Sequence, residues 1–386
     1  MMRRLTYICL FLGILSPWFN VQAQLVFSTP ESFPTGKEPF IANSADLNGD
    51  GMPDLVIPNR EDATVSILFG DGQGRFSGSA TMPTGRGPRY AVCADLDGDA
   101  ILDIITTNRD SGDLTLLFGD GRGGFPRSSE LPVSRGPQAV AIADLNGDGA
   151  PDLAVAGREA RRILVYLNDG EGRFFKPAKL VVGKGPRWII ALDLNGDDIP
   201  DLATADRIDG TVSIRFGDGK GHFQEFLTLN AGRAPTMLVP ADINQDDHLD
   251  LIVSDRTTND LSLYGDAAPG MKMRGQVYIF AGDGKGDFAT PVAWDTGGHP
   301  AGIAVADLNG DHVLDIAIAN NAPDNLVVLI GNKQGAFSDP IVISSDVGRV
   351  TRSVLSVDIN RDGRPDLVVT SRDSNAFYVL MNRTSQ

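Results

Sequence analysis

Apolar residues along the chain gather into short runs, separated by polar turns rich in Gly, Asp and Asn, and this spacing predicts strands rather than helices. One unit organises the runs. A Gly-x-x-Pro leads into a short apolar strand such as Gln138 to Ala143, and an aspartate-rich segment follows it. A second apolar strand comes next (Leu153 to Ala156), then a turn, then a third strand such as Thr64 to Phe69. That strand ends in Gly70-Asp71-Gly72-Gln73-Gly74, and a fourth is expected to begin at the aromatic Phe76. The aspartate segment starts at residues 46, 95, 144, 193, 242, 307 and 358, at intervals of 49, 49, 49, 49, 65 and 51.

Four strands per unit, seven times over, predict an all-β fold, a seven-bladed β-propeller of four-stranded blades. A linear solenoid needs distinct polar caps, and the chain ends argue against it. The last copy stops after Tyr378 to Met381, without its fourth strand. Phe27 stands nine residues before Gly36, as Phe76 does before Gly85, so Leu25 to Pro34 reads as an orphan fourth strand. Pairing it with the last blade closes the ring and removes two open sheet edges. Blade 5 departs from the pattern with extra residues within 257–276.

Composition narrows the class. There are 44 Gly, 7% aromatics, 42% apolar residues, no collagen-like period and two Cys, which excludes a coiled coil, a disordered chain, a zinc finger and a disulfide scaffold. A net charge of −16 makes nucleic acid and acidic membrane surfaces poor partners. Arg3 and Arg4, the apolar run Leu5 to Leu15 and Val21-Gln22-Ala23 read as a signal peptide over 1–23. The run is too short to span a bilayer. The expectation is a secreted or periplasmic protein whose propeller occupies 24–386. Cys9 falls in the leader, which leaves Cys93, read as a small core residue.

Within each aspartate segment, oxygen-bearing side chains fall at positions 1, 3, 5 and 9, and the carbonyl of position 7 adds another oxygen. The first segment offers Asp46, Asn48, Asp50, Met52 and Asp54; the second, Asp95, Asp97, Asp99, Ile101 and Asp103. The third and fourth offer Asp144, Asn146, Asp148, Ala150 and Asp152, then Asp193, Asn195, Asp197, Ile199 and Asp201. The fifth and sixth offer Asp242, Asn244, Asp246, His248 and Asp250, then Asp307, Asn309, Asp311, Val313 and Asp315. The last offers Asp358, Asn360, Asp362, Arg364 and Asp366. Hard oxygen donors at high anionic density favour Ca2+ over transition metals, up to seven ions in all. An EF-hand requires Glu at position 12, where these copies carry Ile, Thr or Val, so the loops sit inside β-hairpins. Non-glycine residues at position 6 (Ala100, Asp198, Asp247, His312) are expected to strain their turns. Leader removal takes two arginines and no acid, moving −16 to −18, which seven calcium ions would reduce to −4.

These Asp-x-Asn-x-Asp-Gly-x-x-Asp loops, with strands ending in Phe-Gly-Asp-Gly-x-Gly-x-Phe, resemble FG-GAP/VCBS repeats and the N-terminal propeller of integrin α-subunits. The resemblance covers nearly the whole mature chain. It implies a calcium-binding propeller, in a family that spans adhesion modules and lectin-like proteins. No other integrin domain is present, so integrin-type adhesion does not transfer.

Two further positions are basic in six of seven units. Lys37, Arg86, Arg135, Lys184, Arg233 and Arg349 stand nine residues before the loops, with Gly298 in blade 6. Arg60, Arg109, Arg158, Arg207, Arg256 and Arg372 stand six residues after them, with Asn321 in blade 6. In an up-and-down blade both sets reach the face opposite the loops, as an inner and an outer ring around the channel mouth. Either the outer arginines pair with neighbouring acids and lock the blades, or the rings bind an anionic ligand such as an acidic glycan. The blade 5 insertion, with Met271-Lys-Met-Arg274, is either a specificity loop beside the gap in blade 6 or a tolerated surface insertion. Four His and no nucleophile elbow or metalloprotease helix speak against an enzyme. The expectation is a monomeric binding module for an acidic glycan or another exported protein, with a propeller-type polysaccharide lyase or hydrolase and a purely structural scaffold as alternatives.

Overall fold

The computed structural model describes residues 25–133, 136–157, 161–224, 227–256 and 275–385. The expected leader, Arg135, Arg158 and nearly all of the blade 5 insertion lie outside the described residues.

The described chain forms seven four-stranded antiparallel sheets, the blades of a seven-bladed propeller. Blade 2 shows the plan: Pro88–Ala94 nearest the axis, then Asp103–Asn108, Asp113–Phe118 and Arg127–Pro132 at the rim. The second strand is buried along its length in every blade, which is why its sequence runs apolar without alternation. Fourth strands alternate or lie exposed because one face meets solvent. The core is a series of clusters between adjacent blades, such as Leu96, Leu114 and Phe118 with Val140, Val155 and Tyr166.

The ring closes as the spacing predicts. Glu31–Pro34 pairs antiparallel with Ala376–Leu380, and Phe27 bridges Asn382. Phe33 stacks on Phe377 at 5.1 Å and meets Phe76 edge-on at 5.3 Å, so the first segment of the chain knits blade 7 to blade 1. Between them Ala42, Leu55 and Ile57 pack with Val368, Phe377 and Val379.

The start of the fourth strand differs from expectation. Only blade 1 begins it at the aromatic, Phe76. In blades 3 to 6 the equivalents Phe174, Phe223, Phe288 and Phe337 make single bridges, and the strand proper starts later. Pro126, Pro177, Pro291 and Pro340 immediately precede four of these strands. Proline has no N–H to donate, so the ladder resumes only beyond it.

Successive blades interlock through the Gly-Asp-Gly turns. A Cβ on Gly123 (φ 82°) would fall 2.5 Å from the Phe69 ring of the preceding blade, and one on Gly172 would fall 2.7 Å from Phe118. The glycine therefore answers both a left-handed backbone and a neighbour's aromatic. Gly123→Ala is expected to destabilise by about 2 kcal/mol, from left-handed strain plus overpacking. A urea melt checks this, and an unchanged midpoint would show that the Phe69 contact does not hold the blades.

Candidate functional sites in the aspartate loops and on the basic face

In each loop the position 1 aspartate folds the turn around its own carboxylate. Asp46 accepts from the N–H groups of Gly49 at 2.8 Å, Asp50 at 3.2 Å and Gly51 at 2.8 Å. The position 5 aspartate accepts from the N–H of position 7, as Asp50 does from Met52 at 2.8 Å. These bonds require left-handed backbone at positions 4 and 6. At position 6 Ala100, Asp198, Asp247 and His312 adopt it with φ of 62–67°, and at position 4 so do Gln245 (φ 61°) and Arg361 (φ 57°), so these non-glycine residues bear the strain their identity implies.

Position 9 plays a part the spacing alone does not reveal. Asp54 is fully buried and accepts from Leu47 N–H at 2.9 Å and from Gly70 N–H at 2.9 Å. The same pair of bonds recurs at Asp103, Asp152, Asp201, Asp250, Asp315 and Asp366. This carboxylate ties the loop to the end of the third strand. Each oxygen keeps a second lone pair, so the clamp does not exhaust its donor capacity. Burial pushes Asp103, Asp152, Asp201 and Asp366 up to about 6 and Asp315 up to about 7, against the lowering effect of the amide bonds.

The donor set fits a hard cation. Asp95, Asp97 and Asp99 each bring a carboxylate oxygen within 4.8 Å of the others. Asp97 Oδ1 is buried there without a hydrogen-bond partner, an acceptor in want of a positive ligand. Arginine already answers part of the charge in two loops, Arg127 on Asp97 and Arg364 on Asp362 at 2.5 Å. His312, at position 6 of the sixth loop, lies 3.9 Å from the Asp307 carboxylate. The ring of His248 packs beside Gly284, away from any ligand role.

On the opposite face the two basic rings behave differently. The ion-pair reading holds for much of the outer ring. Arg60 bonds Glu38 at 2.8 Å and Asp110 of the next blade at 3.2 Å. Arg372 bonds Asp373 at 2.7 Å and reaches Glu38 at 3.7 Å, while Arg109 lies 3.8 Å from Asp110. Glu38 thus joins arginines of blades 1 and 7 across the closure. Arg207 is half-buried, and Arg256 lies close enough to His299 to lower the imidazole's pKa, after the larger effect of burial. The inner ring is exposed. Lys37 lies 4.0 Å from Glu61, whereas Arg86, Lys184, Arg233 and Arg349 form no side-chain ion pair among the described residues, although Arg349 is near enough to Asp373 to help hold its carboxyl low.

A third basic feature lies on the axis. The residue after the proline of Gly-x-x-Pro is bulged out of the first strand, with the register slipping between Pro88 and Tyr90, Pro186 and Trp188, and Thr351 and Ser353 in the proline-less blade 7. A bulge re-aims a side chain. Here it turns Arg89, Arg187 and Arg352 into the channel mouth, together with Gln138, Thr236 and Ala301. Phe40 holds the same position in blade 1, with Arg89 4.8 Å and Arg352 5.2 Å from its ring centroid. Beside them the buried Trp188 meets Tyr90 edge-on at 4.9 Å. The signal for these positions was a fixed place after the Gly-x-x-Pro, and their mixed residue types hid it. Cys93 is half-buried against the core, and burial pushes its thiol up to about 12, as an inert packing residue requires.

FG-GAP-like repeats match residues 46–106, 95–155, 144–204, 193–253, 263–318 and 313–369, which is most of the chain. The chain belongs to the FG-GAP-like repeat family. No curated protein matches its sequence. Among solved structures, this FG-GAP propeller is similar to BBS1N, crystallised in complex with ARL6DN, at TM-score 0.64 and 15% identity over 94% of this chain and 98% of that one. It is also similar to an Agrocybe aegerita lectin that recognises non-reducing terminal N-acetylglucosamine, at TM-score 0.55 and 17% identity over 81% of each chain. A functionally unknown protein from Desulfotomaculum acetoxidans follows at TM-score 0.54 and 12% identity, over 80% of this chain and 89% of that one. At such identities these likenesses speak for the fold. Among the described residues no helix is long and apolar enough to cross a membrane.

Proposed function

We propose that this FG-GAP propeller is an exported, calcium-stabilised binding module that takes anionic ligands, such as acidic glycans, on its basic face, and that it is not an enzyme. One observation carries the reading. A protein of net charge −16 exposes Arg86, Lys184, Arg233 and Arg349 on one face without ion-pair partners among the described residues. Unpaired cations gathered on one side of an acidic protein attract and orient anions. The side chains at loop positions 1, 3 and 5, the carbonyl at position 7 and the free lone pairs at position 9 would hold calcium. The ion would neutralise carboxylates that otherwise repel one another, and it would fix the blade hairpins. A leader over 1–23, as the sequence is read, would carry the chain to where millimolar calcium is at hand. Among the described residues the basic face assembles no nucleophile, base and orienter, which favours binding over turnover. A protein partner is the second reading, favoured by the similar fold of BBS1N in its complex with ARL6DN.

Retention on an acidic polysaccharide column tests the proposal. The parent chain with calcium is expected to elute at higher salt than the triple variant Arg86→Ala, Lys184→Ala, Arg233→Ala, because each lost cation removes a salt-dependent contact. Equal elution of the two would remove the basic face from the function. Time-dependent cleavage of the polysaccharide would replace the binding reading with the lyase or hydrolase one.

A further inference from the structure

We propose that the axial pocket at the centre of the basic face is a binding site for one compact oxyanion group, a carboxylate or a sulfate, held by Arg187 with Arg89 and Arg352. The site is separate from the two rings of the proposed glycan face and does not depend on them. Three arginines converge where seven first strands crowd together, and no carboxylate lines the pocket. Arg187 makes no hydrogen bond or ion pair among the described residues. After burial, the strongest influences on it are other guanidinium groups, Arg207, Arg256, Arg89 and Arg352. Arg89 spends one bond on Gln138 Oε1 at 3.3 Å. The Nε atoms of Arg89 and Arg352 are buried without acceptors.

Buried donors without acceptors are costly, and like charges held together more so. Burial and neighbouring arginines push Arg89 down to about 9 and Arg352 down to about 10, and they push Arg187 well below its ordinary range. A guanidinium does not shed its proton in a protein. Relief therefore has to come from an anion. The pocket is built for one rather than left by chance, since the same bulge in blades 2, 4 and 7 places the three arginines and Phe40 supports two of them from one ring. The space open to the centres of water-sized groups in it is about 20 Å³, which suits one small group rather than a sugar ring. Planar guanidinium forks match oxyanions with paired hydrogen bonds, which a spherical halide cannot accept in the same way. Ile41, Trp188 and Met237 supply its apolar lining, with Tyr90 edge-on against Trp188, and the ligand would enter from the basic face.

The test is thermal unfolding of the calcium-replete chain in sodium sulfate or sodium acetate, each compared with sodium chloride at equal ionic strength. At least one oxyanion is expected to raise Tm by about 2 °C or more over chloride, saturably. Arg187→Gln is expected to lose that rise, and Arg86→Ala with Lys184→Ala is expected to keep it, which separates the axial site from the face around it. Ala301→Glu guards against a misfolded arginine variant. It sets a carboxylate in the pocket, and is expected to unfold at or above the parent temperature in low salt and to ignore added sulfate. Equal effects of chloride and both oxyanions, or an undiminished response in Arg187→Gln or in Ala301→Glu, would overturn the proposal.

Discussion

Excess chelator is expected to lower Tm by on the order of 10 °C or more, and added calcium to restore it. The magnitude comes from number rather than strength. A site with free ion ten- to a hundredfold above its Kd contributes about 1.4–2.7 kcal/mol, and seven loops carry the same donor pattern. The competing explanation is that backbone amides already suffice. Asp46 is capped by three N–H groups, and Asp54 by two. Amides hold those carboxylates in place without neutralising them, however. Asp95, Asp97 and Asp99 remain within 4.8 Å of one another, with Asp97 Oδ1 buried and unanswered. Calorimetric scans in chelator, in calcium and in magnesium decide the matter. A melting temperature indifferent to all three would leave the loops as amide-capped turns and remove calcium from the proposal.

The ring was legible in the sequence because its signals are positional. A fixed interval between aspartate segments sets the blades, and the nine-residue spacing from Phe27 to Gly36 announces the strand that closes them, as the pairing of Glu31–Pro34 with Ala376–Leu380 bears out. What escaped depends on where a side chain turns. Spacing places Asp54 in the loop, but only the fold shows both its oxygens taken up by Leu47 and Gly70. Spacing places Arg60 and Arg372 on the basic face, but their meeting on Glu38 needs blades 1 and 7 side by side. The axial arginines were the hardest to see. Their position holds Phe40, Arg89, Gln138, Arg187, Thr236 and Ala301 before it reaches Arg352, so arginine fills only three of seven places and no one residue type marks it. A bulge, which composition does not encode, aims them together.

Asp206→Asn is expected to stabilise the protein by about 2–3 kcal/mol at pH 7.5, with the gain fading as pH falls toward 4. Asp206 ends the second strand of blade 4, where blades 1, 2 and 6 carry Asn59, Asn108 and Asn320. Asn59 donates to Thr64 Oγ1 at 3.0 Å and Ser66 Oγ at 2.8 Å. Asp206, fully buried, instead accepts from Ser213 at 2.5 Å and Thr204 at 3.0 Å. Burial outweighs those bonds and raises its pKa to about 6. The unfolded chain holds this proton only below about 3.9. Between the two values the folded state binds more proton, so the stability Asp206 contributes is complete below the lower value and lost as pH rises through the upper one. An amide has no such transition, and hydroxyls at Ser213 and Thr204 can rotate to accept from it. Urea melts of parent and variant at pH 4.5 and 7.5, both saturated with calcium, measure the difference while the unchanged loops cancel. A variant whose advantage is the same at both pH values would show that Asp206 does not titrate between them.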